Sequence, residues 1–104
     1  MLPHPFVTSY FAGRIHQEGS LFVSQCEGLP VASQGATESE AIVNLAEAVQ
    51  LFVDDALAHG SLNEVVRRYG WHTTHELPVP DSRDRFVVPV RVPHDVASSL
   101  ESSA

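Results

Sequence analysis

Apolar residues recur at helical spacing through the middle of the chain and predict its longest element. Thr37 and Glu40 form a capping box, in which the Thr37 hydroxyl accepts from the Glu40 amide and the Glu40 carboxylate reaches back. Gly60 stands where a left-handed residue would end a helix. The predicted helix is amphipathic, and its apolar face carries Ala41, Ile42, Leu45, Ala48, Val49, Phe52, Val53 and Ala56.

Runs of β-branched and aromatic residues before this helix predict three strands. Residues 6–15 form the first run, and residues 21–26 alternate so that successive side chains face opposite ways. The polar residues 16–20 between them contain a glycine and predict a hairpin loop. Residues 31–34 follow a Gly-Leu-Pro turn and predict a short third strand.

The C-terminal part of the chain predicts a short helix and a last strand. A second capping box opens the helix, residues 61–69. Residues 72–84 carry prolines and polar side chains and are expected to form a loop, whereas residues 85–92 have the composition of a strand. Pro89 has no amide proton, so we expect this strand at a sheet edge. Residues 93–104 form a polar tail that we expect to fray.

The order of these elements is β-β-β-α-α-β. It predicts an α+β fold with a mainly antiparallel sheet and the helices on one face of it. With 104 residues, the chain has the length of one domain, so residues 1–104 are expected to fold together around a core within residues 6–57.

The charge of the chain bears on its partners and its surroundings. Thirteen acidic and six basic residues give a net charge of −7, which repels nucleic acid and attracts a basic protein. A single cysteine, Cys26, excludes an intrachain disulfide and fits a reducing compartment. Neither an export signal nor an apolar run long enough to span a membrane is visible, so we expect a soluble, cytoplasmic protein.

Residues from the second strand to the start of the long helix resemble a known family. They are residues 21–30 (LFVSQCEGLP), 33–37 (SQGAT), 40–41 (EA), 44–45 (NL) and 47–48 (EA). The same strand, turn, cap and helix face occur in this order in the HicB family of antitoxin-like domains. The resemblance covers residues 6–57, roughly half of the chain.

This resemblance implies a fold and a function. It implies a core like a trimmed ribonuclease H fold without catalytic carboxylates, and a module that binds and neutralises a small basic RNA-cleaving toxin. Val31 departs from the family, which often has glycine after the Leu-Pro pair. Residues 90–100 resemble the opening of a ribbon-helix-helix, but a second helix has no room after them, so DNA binding by this chain is not expected.

Acidic residues on the long helix are the first candidate for a binding surface. Glu40, Glu47 and Asp54 repeat every seven residues on the side opposite the apolar face. Leu51 falls within the same outer stripe, with Val43 on its flank, where water would otherwise meet it. An ordinary solvated helix face explains such a pattern, and a docking surface for a basic partner is the functional alternative.

The last strand is the candidate for self-association. Sheet edges are normally paired or covered, so residues 85–92 are expected to pair with a second copy across a two-fold axis, giving a dimer or a dimer of dimers. The contact residues expected there are Phe86, Val88, Val90 and Val92. An orphan homo-oligomeric binding or scaffolding domain, with no toxin partner, is the alternative function.

Catalytic, metal and cofactor chemistry find little support in the sequence. His72 and His75 have a spacing used by metal ligands, yet Cys26 is the sole soft candidate for a further ligand. Cys26 itself alternates with Phe22 on a strand and is expected to be a buried apolar residue rather than a nucleophile. A ribonuclease H-like hydrolase would need acids on its strands, and residues 6–15 and 21–26 contain none. We therefore expect neither an enzyme nor a cofactor.

Overall fold

A computed structural model describes residues 6–69 and 84–93 of the chain, except for the side chains at positions 6, 7, 66 and 69. The elements in chain order are β1 (Phe6–Glu18), β2 (Leu21–Cys26), β3 (Ala32–Gly35), α1 (Glu38–Ala58), α2 (Leu62–Tyr69) and β4 (Arg85–Pro93). The predicted loop up to residue 83, with His72 and His75, and the tail from residue 94 lie outside the described residues.

The four strands form one antiparallel sheet in the order β3-β2-β1-β4. The α+β class and the element order β-β-β-α-α-β predicted from the sequence are confirmed. Within the described strands, β4 pairs on one side only, along the length of β1 from Phe6↔Pro93 to Arg14↔Arg85. The edge position inferred from Pro89 is therefore correct.

The first hairpin is longer than the sequence predicts. β1 continues to Glu18, where it pairs with Leu21, so the expected loop at residues 16–20 is wrong. Gly19, with φ +60°, and Ser20 turn the chain in two residues, a tight turn that requires this backbone conformation. The three residues before Gly19 are polar and exposed, so the pattern of hydrophobic residues does not reveal that they form a strand.

The other boundaries differ from the predictions by one residue or none. β2 has the predicted bounds, β3 is shifted by one residue to Ala32–Gly35, and β4 extends by one residue to Pro93. Thr37 caps α1, since its hydroxyl accepts from the Glu40 amide at 3.1 Å. Gly60 follows α1 with φ +67°, as expected.

One face of the sheet packs against α1 and forms the core. Alternation and register place Phe11, Ser24, Cys26, Val88 and Val90 on this inner face, where all are buried. The fully buried residues of α1 are Ala41, Leu45, Val49 and Val53, with Ala56 nearly so, which confirms the predicted apolar face. Leu62 brings α2 into the same core.

The start of α1 lies close against β2 and β3. The buried Ser24 hydroxyl donates to the Ala41 carbonyl at 2.8 Å. Gly35 leaves space for the helix, because a Cβ atom there would lie 2.5 Å from the Ala41 nitrogen. These two contacts hold the start of α1 close to β2 and β3, with its apolar face turned to the sheet.

Candidate functional site

The outer face of α1 presents one continuous stripe of exposed side chains. We call its five members the acidic ridge: Glu40, Val43, Glu47, Leu51 and Asp54. Steps of three and four residues place them on one side of the helix, along about 21 Å of its length. The side chains of Val43 and Leu51 are 55% and 68% exposed, the two most exposed large apolar residues in the described part of the chain.

The helix that carries this ridge has acidic side chains and no basic side chain to balance their charge. Its 21 residues include no lysine or arginine, and its carboxylates are Glu38, Glu40, Glu47, Asp54 and Asp55. Among the described residues, no ion pair forms with Glu40 or Glu47. These two carboxylates flank Val43 and are exposed on the described surface, where a cation of another protein could reach them.

Neither described helix combines the length and apolarity needed to cross a membrane.

Gln50 fastens α1 to the free edge of β4. Its side-chain amide accepts from the Arg91 amide at 2.8 Å and donates to the Arg91 carbonyl at 3.0 Å, as a neighbouring strand would. The same nitrogen also donates to the Asp54 carboxylate at 3.0 Å. The ridge is therefore held in a fixed orientation relative to the sheet, with Asp54 part of that attachment.

A second amide closes the opposite edge. Asn44 donates to the Gln34 carbonyl of β3 at 2.9 Å, so α1 covers part of both edges of the sheet. On β4, Pro89 shares the outward edge position of Arg91 but offers no amide proton. Strand addition at β4 would find few open donors, of which Val87 is one.

Of the residues predicted to mediate self-association, the three valines are buried and Phe86 is half-buried. Val88, Val90 and Val92 are at most 1% exposed and belong to the core beneath α1, while the ring of Phe86 lies over Gly13. The three valine side chains are not exposed for contact, because strand alternation turns them toward the helix. Truncating them would empty the core instead of separating two copies. Pairing of the β4 backbone with a second copy stays a prediction.

Sequence reasoning missed a charged cluster on the outer face of the sheet. The Glu27 carboxylate receives a hydrogen bond from Arg85 and another from the Arg14 Nε atom at 2.8 Å. The hydrogen bond from Arg85, with its positive charge and that of Arg14, holds the pKa of Glu27 below its ordinary value of 4.5, although partial burial opposes this. We call these residues the Glu27 clamp, and it joins β2, β1 and β4. Its members are 13 and 58 residues apart in sequence, so no local pattern reveals it.

We expect the clamp to make stability depend on pH. Because the folded-state pKa of Glu27 is lowered, its stabilisation is complete at neutral pH and is lost as the pH falls through that pKa. Glu27→Gln should cost about 1 kcal/mol of unfolding free energy at pH 7. Urea titrations at pH 7 and pH 3 measure this difference, which should shrink at pH 3. A difference that is equal at both pH values would contradict the assignment.

Cys26 is a buried core residue, as the sequence predicts. Burial raises the pKa of its thiol to about 12, with a further increase from the nearby Glu27 charge. The sulfur donates to the Glu27 carbonyl at 3.6 Å. A cysteine nucleophile needs a lowered pKa and access to its substrate, and this thiol has neither.

Carboxylates are sparse on the sheet and gather on the helix. Glu18 is the one acid on the described strands, and it lies at the solvent end of β1 beside His16, at 3.0 Å. Within the described ranges, no three histidine, cysteine or acidic residues are placed to hold a metal ion. A shallow cleft of about 210 Å³ lies between the first hairpin and the start of α1, lined by Ile15, Phe22 and Glu38 among others. The acidic ridge is the feature of the described surface with the clearest binding chemistry.

The acidic ridge begins within the residues that resemble the HicB family. Glu40 and Glu47 belong both to the quoted pattern and to the ridge, whereas Leu51 and Asp54 follow it. The resemblance rests on those residues and stays a prediction. Comparison of this chain with protein-family models, curated proteins and solved structures finds no match.

Proposed function

We propose that this chain is a non-enzymatic module that binds a small basic protein through the acidic ridge. The observation that carries the proposal is the exposure of Val43 and Leu51 between three carboxylates on a helix without a cation. Covering an exposed apolar side chain with a partner removes it from water and makes the free energy of binding more favourable. The carboxylates around them favour a partner of opposite charge.

The ridge assigns different roles to its two kinds of residue. Val43 and Leu51 lie about 12 Å apart along the helix axis and act as two apolar anchors. Glu40 and Glu47, which have no ion pair within the described residues, increase the rate of encounter with a basic surface and set the orientation. Specificity then requires a partner whose apolar pockets match the spacing of Val43 and Leu51 and whose charge is opposite to that of the carboxylates.

We propose further that the partner is a small basic RNA-cleaving toxin, as the resemblance to the HicB family implies. A protein that binds RNA carries lysine and arginine where the phosphates lie. The acidic ridge offers the same sign of charge as RNA, so it competes for that surface. Neutralisation by this route needs shape and charge alone and no chemistry from the module.

Calorimetry with ridge variants tests this function. The partner to use is a short basic protein encoded beside this chain, purified and shown to cleave RNA. We expect Leu51→Glu and Glu47→Lys each to weaken its binding at least tenfold, which is about 1.4 kcal/mol. Both variants should also lose inhibition of RNA cleavage.

Matched controls separate the ridge from general charge and hydrophobicity. Glu64→Lys changes the same charge on the exposed surface of α2, and Leu21→Glu alters another exposed leucine. We expect both to bind the toxin within a factor of two of the unmodified chain. Equal losses for ridge and control variants, or full affinity in Leu51→Glu, would overturn the proposal.

A further inference from the structure

The face of the sheet turned away from α1 has an apolar centre. Alternation along the strands turns several apolar residues to this outer face, and those nearest its centre are Tyr10, Ala12, Leu21, Val23, Val87 and Pro89. An antiparallel sheet that meets water on one side normally carries polar residues there. The centre of this outer face therefore has the composition of a covered surface, with polar residues around it.

Register joins four of these residues into one block. Tyr10 lies directly opposite Pro89, and Ala12 lies directly opposite Val87, so side chains from β1 and β4 meet across the strands. We call these four residues the outer block. The Glu27 clamp borders the block at one end.

Charge indicates what covers the block. On the outer face of the described sheet, Arg14, Arg85 and Arg91 offset Glu18 and Glu27, whereas α1 on the other side of the molecule carries acids alone. Two copies of a chain with net charge −7 repel each other least through this face. A basic protein would instead be attracted to the acidic ridge.

The partly covered sheet edges limit how a second copy can approach. Gln50 occupies the Arg91 backbone groups and Pro89 lacks a donor, so extension of the sheet at β4 is obstructed. Among the described residues, no side-chain amide occupies backbone groups on the outer face in this way. Packing of two sheets face to face buries apolar side chains without using edge hydrogen bonds.

We propose that two copies of this chain pack through their outer sheet faces, with one outer block against the other across a two-fold axis. The paired length of β1 and β4 is nine residues, or about 30 Å, and the two strands together span about 10 Å. This footprint of roughly 300 Å² per copy is less than half that of a standard interface. The dimer is therefore weak, and it forms in a concentration-dependent way.

This arrangement places the acidic ridges on opposite outer sides of the dimer, because ridge and sheet face lie on opposite sides of each copy. Self-association and toxin binding therefore use different surfaces. Two copies can pack through the sheet face whether or not the ridge binds a toxin. Variants of one surface should leave the other interaction intact.

Sedimentation equilibrium across ~10–500 µM protein tests the proposal, a range chosen for a weak interface. We expect a monomer–dimer equilibrium whose dissociation constant rises at least tenfold in Val87→Glu. Leu51→Glu, on the acidic ridge, should leave that constant unchanged. Circular dichroism and thermal unfolding establish that both variants are folded, and Val87→Arg provides a second substitution at the same position.

Each other outcome overturns the proposal. A monomer at all concentrations excludes the dimer, and an unchanged constant in both folded Val87 variants places the contact elsewhere. Equal weakening by Leu51→Glu indicates a head-to-tail contact between the ridge and the sheet face.

Crosslinking provides a measurement that does not depend on a destabilising charge. Ala12→Cys places a thiol in the outer block, and the buried Cys26 does not compete for a reagent. A short bismaleimide should link two Ala12→Cys chains, whereas Leu51→Cys, far from the proposed axis, should remain unlinked. Linking of Leu51→Cys alone would overturn the face-to-face arrangement.

Discussion

Leu45→Ala should lower the free energy of unfolding by about 3 kcal/mol, whereas Leu51→Ala should change it by less than about 0.5 kcal/mol. Both leucines lie on α1, six residues apart, and the substitution removes the same atoms from each. Leu45 is fully buried against the sheet, and Leu51 is 68% exposed. The loss at Leu45 combines the lost transfer free energy with the cost of the cavity that remains.

Urea unfolding followed by circular dichroism measures both changes in stability. The dependence of the unfolding free energy on urea concentration is compared between the variants. Because helix propensity changes equally in the pair, the difference between them reports burial alone. Leu51→Ala should also weaken binding of the proposed partner while leaving the fold intact. Similar losses of stability at the two positions would show that the outer face of α1 is covered within one copy.

Gly35→Ala should lower the free energy of unfolding by about 3 kcal/mol, more than the same substitution costs at most surface positions. The added Cβ atom would lie 2.5 Å from the Ala41 nitrogen and 2.9 Å from the Glu40 carbonyl carbon, both of which are backbone atoms. No rotamer change relieves such a contact, so α1 must move away from β3. That movement would also strain the Ser24 hydrogen bond to the Ala41 carbonyl.

Gly28→Ala is the matched control for this glycine. Gly28 has φ +88° and nothing within 4 Å of an added Cβ atom, so its substitution costs about 1 kcal/mol through backbone conformation alone. Thermal and urea unfolding of the two variants separate steric contact from strain. If Gly35→Ala proved the milder change, the close approach of α1 to β3 would be wrong.

Local patterns in the sequence predict most of the fold. The capping residue Thr37 and the repeat of apolar residues locate α1, because helix caps and helical periodicity depend on residues within a few positions of each other. Pro89 places β4 at an edge for an equally local reason. The same logic identifies Leu51 as exposed, since it falls outside the apolar face.

Contacts between distant residues account for what the sequence does not predict. Gln50 reads as an ordinary polar residue of a helix, and its role emerges only when Arg91, 41 residues later, comes alongside. Val88 and Val90 alternate as expected for a strand, but alternation does not say whether their face meets the helix or a second copy. The sequence locates the acidic ridge and misses the outer block, whose residues come from two strands that are far apart in the chain.

The two amides on α1 have a consequence for aggregation. Gln50 and Asn44 shield backbone groups on opposite edges of the sheet, and both depend on the same helix remaining docked. Loosening of α1 would expose the edges of β3 and β4 together, along with the valines beneath the helix. Open edges beside apolar strands are templates for amyloid-like stacking. The docked helix thus keeps these edge groups and the valines covered, and its detachment would uncover both at once.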